Sequence, residues 1–246
     1  MKSSHAKSLF PFIIAIFFFV SACSKKDTRA VDDETHEYYP DGTLYKETKM
    51  YADQTGFYKE YFKNGQLFQE VTFLRKKREG VAKKYYEHGG ILEETPYFKG
   101  KKHGVVKRYR RTGELMAEIP YFESNLCKDL KEYTIDQKLK TRYPKIVFKE
   151  VDNLMTSGNF TLEIKLSDDT KGNVEYYEGV LTKEGYIGHD AAQLFDVKQG
   201  VAYMRMNLQP GMYIMKELNI IAKVKTAQSN YKILEGKYNL AIDRKF

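Results

Sequence analysis

The sequence predicts an all-β protein in two units: an elongated array of stacked antiparallel β-hairpins over 36–145, then a β-sandwich over 146–246. Three observations carry this. A 24-residue repeat runs through the first unit, and self-similarity at a fixed period of that size marks a stacked repeat architecture. The second unit loses the period and reads as short alternating strands between turn signals. Neither unit holds a convincing helical period. Charge divides at the same place: residues 36–145 hold 23 Lys/Arg against 16 Asp/Glu, while 146–246 hold 13 of each. The net charge of +8 on the 246-residue chain therefore belongs to the repeated half.

The N-terminus reads as a targeting segment rather than as fold. Lys2 and Lys7 precede the apolar run "LFPFIIAIFFFV", which is shorter than the roughly 20 residues a membrane helix needs. "VSAC" follows, ending at Cys23. These residues resemble the lipobox of bacterial lipoproteins, which implies a signal peptide over 1–22 and a lipid-modified Cys23. The polar stretch 23–35 then reads as a flexible tether. Ser24 stands where an inner-membrane lipoprotein commonly has Asp, so the resemblance implies the outer membrane of a Gram-negative cell, on its periplasmic or exterior side. The other cysteine, Cys127, is then unpaired, and a buried free thiol is expected.

Within the array, Gly56, Gly80 and Gly104 open successive copies. In frame with them run Tyr61/Tyr85/Tyr109, Gly65/Gly89/Gly113, Leu67/Ile91/Leu115, Glu70/Glu94/Glu118 and Phe73/Tyr97/Tyr121. An opening copy shows Tyr38, Gly42, Leu44 and Glu47. A decayed last copy from Lys128 keeps Tyr133 and Leu139 but places Gln137 where Gly belongs, as the capped end of a solenoid does. "Pro40-Asp41-Gly42" fits a type I turn followed by a left-handed Gly, which makes a three-residue hairpin loop with a Gly bulge. That register sets Tyr38 opposite Leu44 and puts the Tyr and Leu/Ile columns on one face, expected to be the buried one. A two-residue loop, the rival, would send them to opposite faces.

These columns resemble the MORN-type repeat, and more closely the variant found in YwqK-like proteins, often labelled as toxin–antitoxin antitoxins. The resemblance spans about residues 33–145. The chain departs from the standard MORN signature, having no Trp. The resemblance implies a MORN-like row of hairpins forming a long twisted sheet, and binding rather than catalysis.

Two further sets of residues bear on function. Lys59, Lys83, Lys107 and Lys131 occupy one position of consecutive copies. They form either an anion-binding stripe for lipid headgroups or acidic glycans, or a solvated ladder neutralised by the Glu column. The loops "LRKKREG" and "FKGKKHG" add basic charge at one end of adjacent hairpins. Tyr39, Phe62 and Tyr86 fall on the face opposite the Tyr/Leu column, which signals either a second packed layer or a protein-binding surface.

From 146 onward, "NFTLEIKLS" alternates strictly, and further strands are expected at 146–151, 174–182, 193–198, 201–208, 212–225 and 231–241. "HDAAQLF" reads as one helical turn. So many short strands suit a sandwich of immunoglobulin-like shape, without the Cys and Trp hallmarks.

Catalytic chemistry finds no motif. His5, His36, His88, His103 and His189 are dispersed without metal-ligand spacing, and no nucleophile elbow or phosphate loop occurs. "GYIGHD" reads as a turn. The expected protein is therefore non-enzymatic, without metal or cofactor: a membrane-anchored lipoprotein that binds protein or acts as a scaffold in an envelope assembly. The alternatives are an antitoxin or immunity protein holding a cognate toxin, or a binder of anionic lipid or glycan through the Lys column. Nucleic acid is not an expected partner of an exported chain.

Overall fold

A computed structural model describes residues 28–168, 172 and 174–245. The expected signal peptide and Cys23 lie outside them. Among the described residues, no helix is long and apolar enough to cross a membrane.

The array is one sheet. Its strands are β1 (Val31–Tyr38), β2 (Leu44–Tyr51), β3 (Thr55–Tyr61), β4 (Leu67–Leu74), β5 (Lys77–Arg78) and β6 (Gly80–Tyr85). They continue as β7 (Ile91–Phe98), β8 (Lys101–Lys102), β9 (Gly104–Tyr109), β10 (Leu115–Phe122), β11 (Asn125–Leu126) and β12 (Lys131–Glu132). The long strands pair antiparallel in chain order, so each hairpin touches only its neighbours. The array starts five residues earlier than expected. Residues 31–35 are not tether but strand, because Val31 pairs with Tyr51 and Ala52 N–H donates to Ala30 O at 2.9 Å.

The turn chemistry sets the register as the sequence required. Gly42, Gly65, Gly89 and Gly113 have φ of 86, 80, 90 and 94°, where a Cβ is disfavoured. Gly42 N–H donates to Tyr39 O at 2.9 Å and Tyr39 N–H to Thr43 O at 2.8 Å. Tyr38, Tyr61, Tyr85 and Tyr109 accordingly face Leu44, Leu67, Ile91 and Leu115. In the decayed copy Gln137 adopts the same left-handed φ, 58°, and Tyr133 still bridges to Leu139.

A second irregularity follows each of these pairs. After Tyr61↔Leu67 the next partners are Glu60↔Gln69, so Phe68 is an extra residue; Tyr45, Leu92 and Met116 occupy the same place. This bulge reverses the alternation of the second strand. Leu67 shares a face with Tyr61 and Lys59, whereas Gln69, Val71 and Phe73 point to the other side with Glu60 and Tyr58.

That reversal corrects the expected buried face. The Tyr/Leu columns are only half-buried, and Val81 and Val105 beside them are exposed. From the second hairpin onward the buried residues Val71, Thr95, Val106, Ala117 and Ile119 lie on the opposite face, while Tyr51 in β2 is buried on the Lys face. Val106, Ala117, Ile119 and Leu130 form a small core there.

The C-terminal unit holds β13 (Ile146–Asn153), α1 (Leu154–Ser157), β14 (Asn159–Leu166), β15 (Val174–Glu178) and β16 (Ala192–Leu194). It ends with β17 (Val197–Lys198), β18 (Val201–Asn207), β19 (Tyr213–Lys225) and β20 (Tyr231–Asp243). The one helical turn is α1, while "HDAAQLF" contains β16 instead. Two sheets, ordered β13-β14-β18-β17 and β16-β15-β19-β20, pack around Phe160, Leu162, Ile164, Leu218, Ile220 and their neighbours. In immunoglobulin terms this order reads A-B-E-D against C′-C-F-G. Tyr176, on the strand where those domains place Trp, is fully buried and donates its hydroxyl to Gly200 O at 2.9 Å.

The tip of the β19–β20 hairpin closes the array. Glu132 is fully buried and accepts from Asn230 Nδ2 at 2.8 Å, Tyr143 OH at 3.2 Å and Lys140 Nζ at 3.3 Å, and also from Thr226. Arg108 donates to Asn230 Oδ1 at 2.7 Å, and Gln228 to Tyr133 O at 2.9 Å.

Candidate functional site

The Lys column lies on the Tyr/Leu face, and the pairing register interleaves it with carboxylates. Across the sheet the order is Glu47, Lys59, Glu70, Lys83, Glu94, Lys107, Glu118, Lys131. Lys59, Lys83 and Lys107 each stand between two Glu strand partners. Lys131 forms an ion pair with Glu118 at 3.5 Å. The row alternates in sign, so its field cancels within a few ångströms instead of adding along the sheet.

The same carboxylates accept from tyrosines of the next copy, a link sequence reasoning missed. Tyr61, Tyr85, Tyr109 and Tyr133 donate to Glu47, Glu70, Glu94 and Glu118 at 3.1, 2.7, 2.7 and 2.9 Å. Burial, the hydrogen bond and the adjacent negative charge push Tyr61 and Tyr109 up to about 12, and raise Tyr85 as well. The near-constant spacing of Tyr and Glu, 14 residues in the first link and 15 in the next three, was the available signal.

Tyr39, Phe62 and Tyr86 are half-buried on the opposite face. Tyr39 OH donates to Tyr61 O at 2.9 Å and Tyr86 OH to Tyr109 O at 2.8 Å. Arg110, at the same position of its copy, donates to Tyr133 O at 2.7 Å. The tyrosines thus clamp one hairpin tip to the next. Phe62 lacks the hydroxyl and packs edge-on against Phe68, with ring centroids 5.0 Å apart.

The opposite face also carries a groove of about 410 Å³ over the second and third hairpins. Val71, Ala82 and Thr95 form its floor, Tyr58, Phe73 and Tyr97 its walls, and Lys84, Arg78 and Glu93 its rim. The floor continues the strip that Val106, Ile119 and Leu130 form farther along. Beside the last hairpins the C-terminal unit hydrogen-bonds next to that strip, Asn230 accepting from Arg108 and Lys232 donating to Leu130 O; over the second and third hairpins the groove is open.

His36 replaces Lys in the opening copy, and with Glu34 and Glu47 it brings ligand atoms within 4.8 Å of one another. These are the described residues closest to a metal-ligand set. The cluster is already engaged: Lys49 lies 2.9 Å from Glu34 and holds its carboxyl below the usual range, while Tyr61 donates to Glu47. His189 and Asp190 are both exposed on a loop. Cys127 is buried, which pushes its thiol up.

A family model described as a MORN repeat variant matches residues 54–74, 78–99 and 102–123. These segments span the second, third and fourth hairpins. No curated protein matches the chain.

Proposed function

We propose that the chain is a non-enzymatic bacterial lipoprotein, anchored to the outer membrane through Cys23, whose hairpin array holds a protein partner within an envelope assembly. The supporting observation is the open groove on the strip Tyr58–Val71–Ala82–Thr95. The same strip is core in the last hairpins, where Val106, Ala117, Ile119 and Leu130 are buried, and its open portion has the composition of an interface: apolar floor, aromatic walls, charged rim. The lipobox-like "VSAC" supports the anchor, and the YwqK-like character of the repeat supports binding over catalysis.

The test is crosslinking and affinity capture from native membranes with the wild-type chain and with Ala82→Arg, which fills the groove floor. Specific envelope proteins should be retained by the wild type and lost from the variant. Undiminished capture by Ala82→Arg removes the groove from the proposal. A single small toxin as the captured partner would replace the envelope role by an antitoxin-like one. Cys23→Ser should move the protein out of the membrane fraction.

A further inference from the structure

The opening copy breaks the repeat at two positions of one face. His36 stands where later copies carry Lys59, Lys83, Lys107 and Lys131, and Glu34 where they carry Phe57, Val81 and Val105. In the later copies this face alternates lysine with carboxylate. In the first it gathers an imidazole and two carboxylates. His36 is the direct strand partner of Glu47, and Glu34 lies two residues before His36, on the same side of β1. The pairing of two strands, not a loop, sets their spacing.

The ligand atoms of the three lie within 4.8 Å of one another, and His36 Nε2 is 3.7 Å from Glu34 Oε1. Zinc bonds nitrogen and oxygen at about 2.1 Å, which in a tetrahedral site separates two ligand atoms by about 3.4 Å. Small side-chain rotations therefore close the set on a cation. The neighbours leave it room. Lys49 holds Glu34 through Oε2, and Tyr61 donates to Oε2 of Glu47, so each carboxylate keeps its other oxygen. Tyr61 then acts as an outer partner that aims a ligand carboxylate. The side chains of His36 and Glu34 are 36 and 35% exposed, which lets water complete the coordination.

We propose that Glu34, His36 and Glu47 bind a divalent cation of the zinc class, which ties the edge strand β1 to β2. An imidazole nitrogen with two carboxylate oxygens suits zinc over magnesium or calcium, which take oxygen ligands and more of them. β1 is the free edge of the array, and every residue from Val31 to Tyr38 is exposed. Few buried contacts therefore back its backbone pairing, and such a strand opens at low cost. At the far end the array is closed by the β19–β20 hairpin and the buried Glu132. At the near end the cation supplies the closure. The site lies on the Lys face, so it is separate from the groove as well as from Cys23.

The test titrates the purified full chain with zinc chloride by calorimetry, then follows backbone amide exchange in β1 with and without zinc. The wild type should bind zinc at a site from which excess magnesium or calcium does not displace it. His36→Lys and Glu34→Val install the residues of later copies at the same register, so the fold is kept while a ligand is removed. Each should weaken that binding by at least about 100-fold, because losing an outer partner alone costs about 10–100-fold. His88→Lys, which changes an exposed histidine outside the cluster, should leave it unchanged. With zinc at about 100 times the wild-type Kd, β1 amides that exchange through opening of the edge should slow by about 100-fold. The same zinc should leave β1 of His36→Lys unprotected. A wild type that takes up no zinc, wild-type affinity in His36→Lys, loss of binding in His88→Lys, or β1 exchange indifferent to zinc overturns the proposal.

Discussion

The hydroxyl of Tyr85 donates to Glu70 Oε1 at 2.7 Å, joining one hairpin to the one before it. The link recurs in the other copies, and it lies beside a strand-partner lysine that faces the same carboxylate. Stacking is thus specified by side chains as well as by the backbone ladder. It also raises the tyrosine pKa, since a phenolate beside a carboxylate is disfavoured.

Tyr85→Phe should lower stability by about 1–2 kcal/mol, the range for a hydrogen bond to a charged acceptor that keeps some access to water. Urea unfolding at neutral pH checks this. An unchanged midpoint would mean that solvent replaces the hydroxyl without loss.

Phe62→Tyr should have the opposite sign. Tyr39 and Tyr86 show where the new hydroxyl would lie, donating to the carbonyl of Tyr85, and a net gain of about 0.5–1 kcal/mol is expected. A thermal melt that rises confirms the clamp. One that falls shows the site too tight for the extra oxygen.

Glu132 should carry the pH dependence of the junction between the array and the C-terminal unit. Burial raises its carboxyl pKa, but hydrogen bonds from Thr226 and Asn230 and the charge of Lys140 outweigh this and hold it below the usual range. A depressed native pKa stabilises the fold above the unfolded value near 4.5, and that stability is lost as pH falls through the native one. Glu132→Gln should therefore flatten the stability profile on the acid side. Glu132→Ala, which strands Asn230 and Lys140, should cost about 3 kcal/mol at neutral pH. Denaturant titrations of both variants across that range decide it.

Two glycines separate conformational from steric cost. Gly65 has φ of 80° and open space where a methyl group would project, so Gly65→Ala should cost about 1 kcal/mol, all of it backbone. At Gly56 a Cβ would sit 2.5 Å from Lys49 O and closer still to Met50 Sδ, so Gly56→Ala must push β2 and β3 apart and should cost more. Thermal melts of the two variants make the comparison. Equal losses at both sites would contradict the tight approach of these strands.

Much of the fold was legible because turn chemistry is local. "Pro40-Asp41-Gly42" sets the loop, the loop sets Tyr38 against Leu44, and the period copies the result. Counting by twos from Leu67 fails at Phe68, because nothing in one copy marks an extra residue in a strand. That single residue exchanged the inner and outer faces beyond it. Val71/Thr95/Ile119 and Ala82/Val106/Leu130 were visible as columns, but they could be assigned to one face only after the bulge was known. The meeting of His36 with Glu34 and Glu47 depends on register across two strands, and the burial of Glu132 depends on residues nearly a hundred positions later. Neither has a local signature.

The neighbour-only pairing of the hairpins makes the array a ruler. Each copy adds a pair of strands, and strands stand about 4.8 Å apart, so duplicating one would lengthen the protein by about 10 Å while leaving both ends as they are. The Tyr–Glu hydrogen bonds and the Lys–Glu strand pairing would re-form at the new joint, because these residues recur at the same positions in every copy. Reach in such a chain comes in units of one repeat, and copy number sets the distance between the start of the array and the sandwich at its far end.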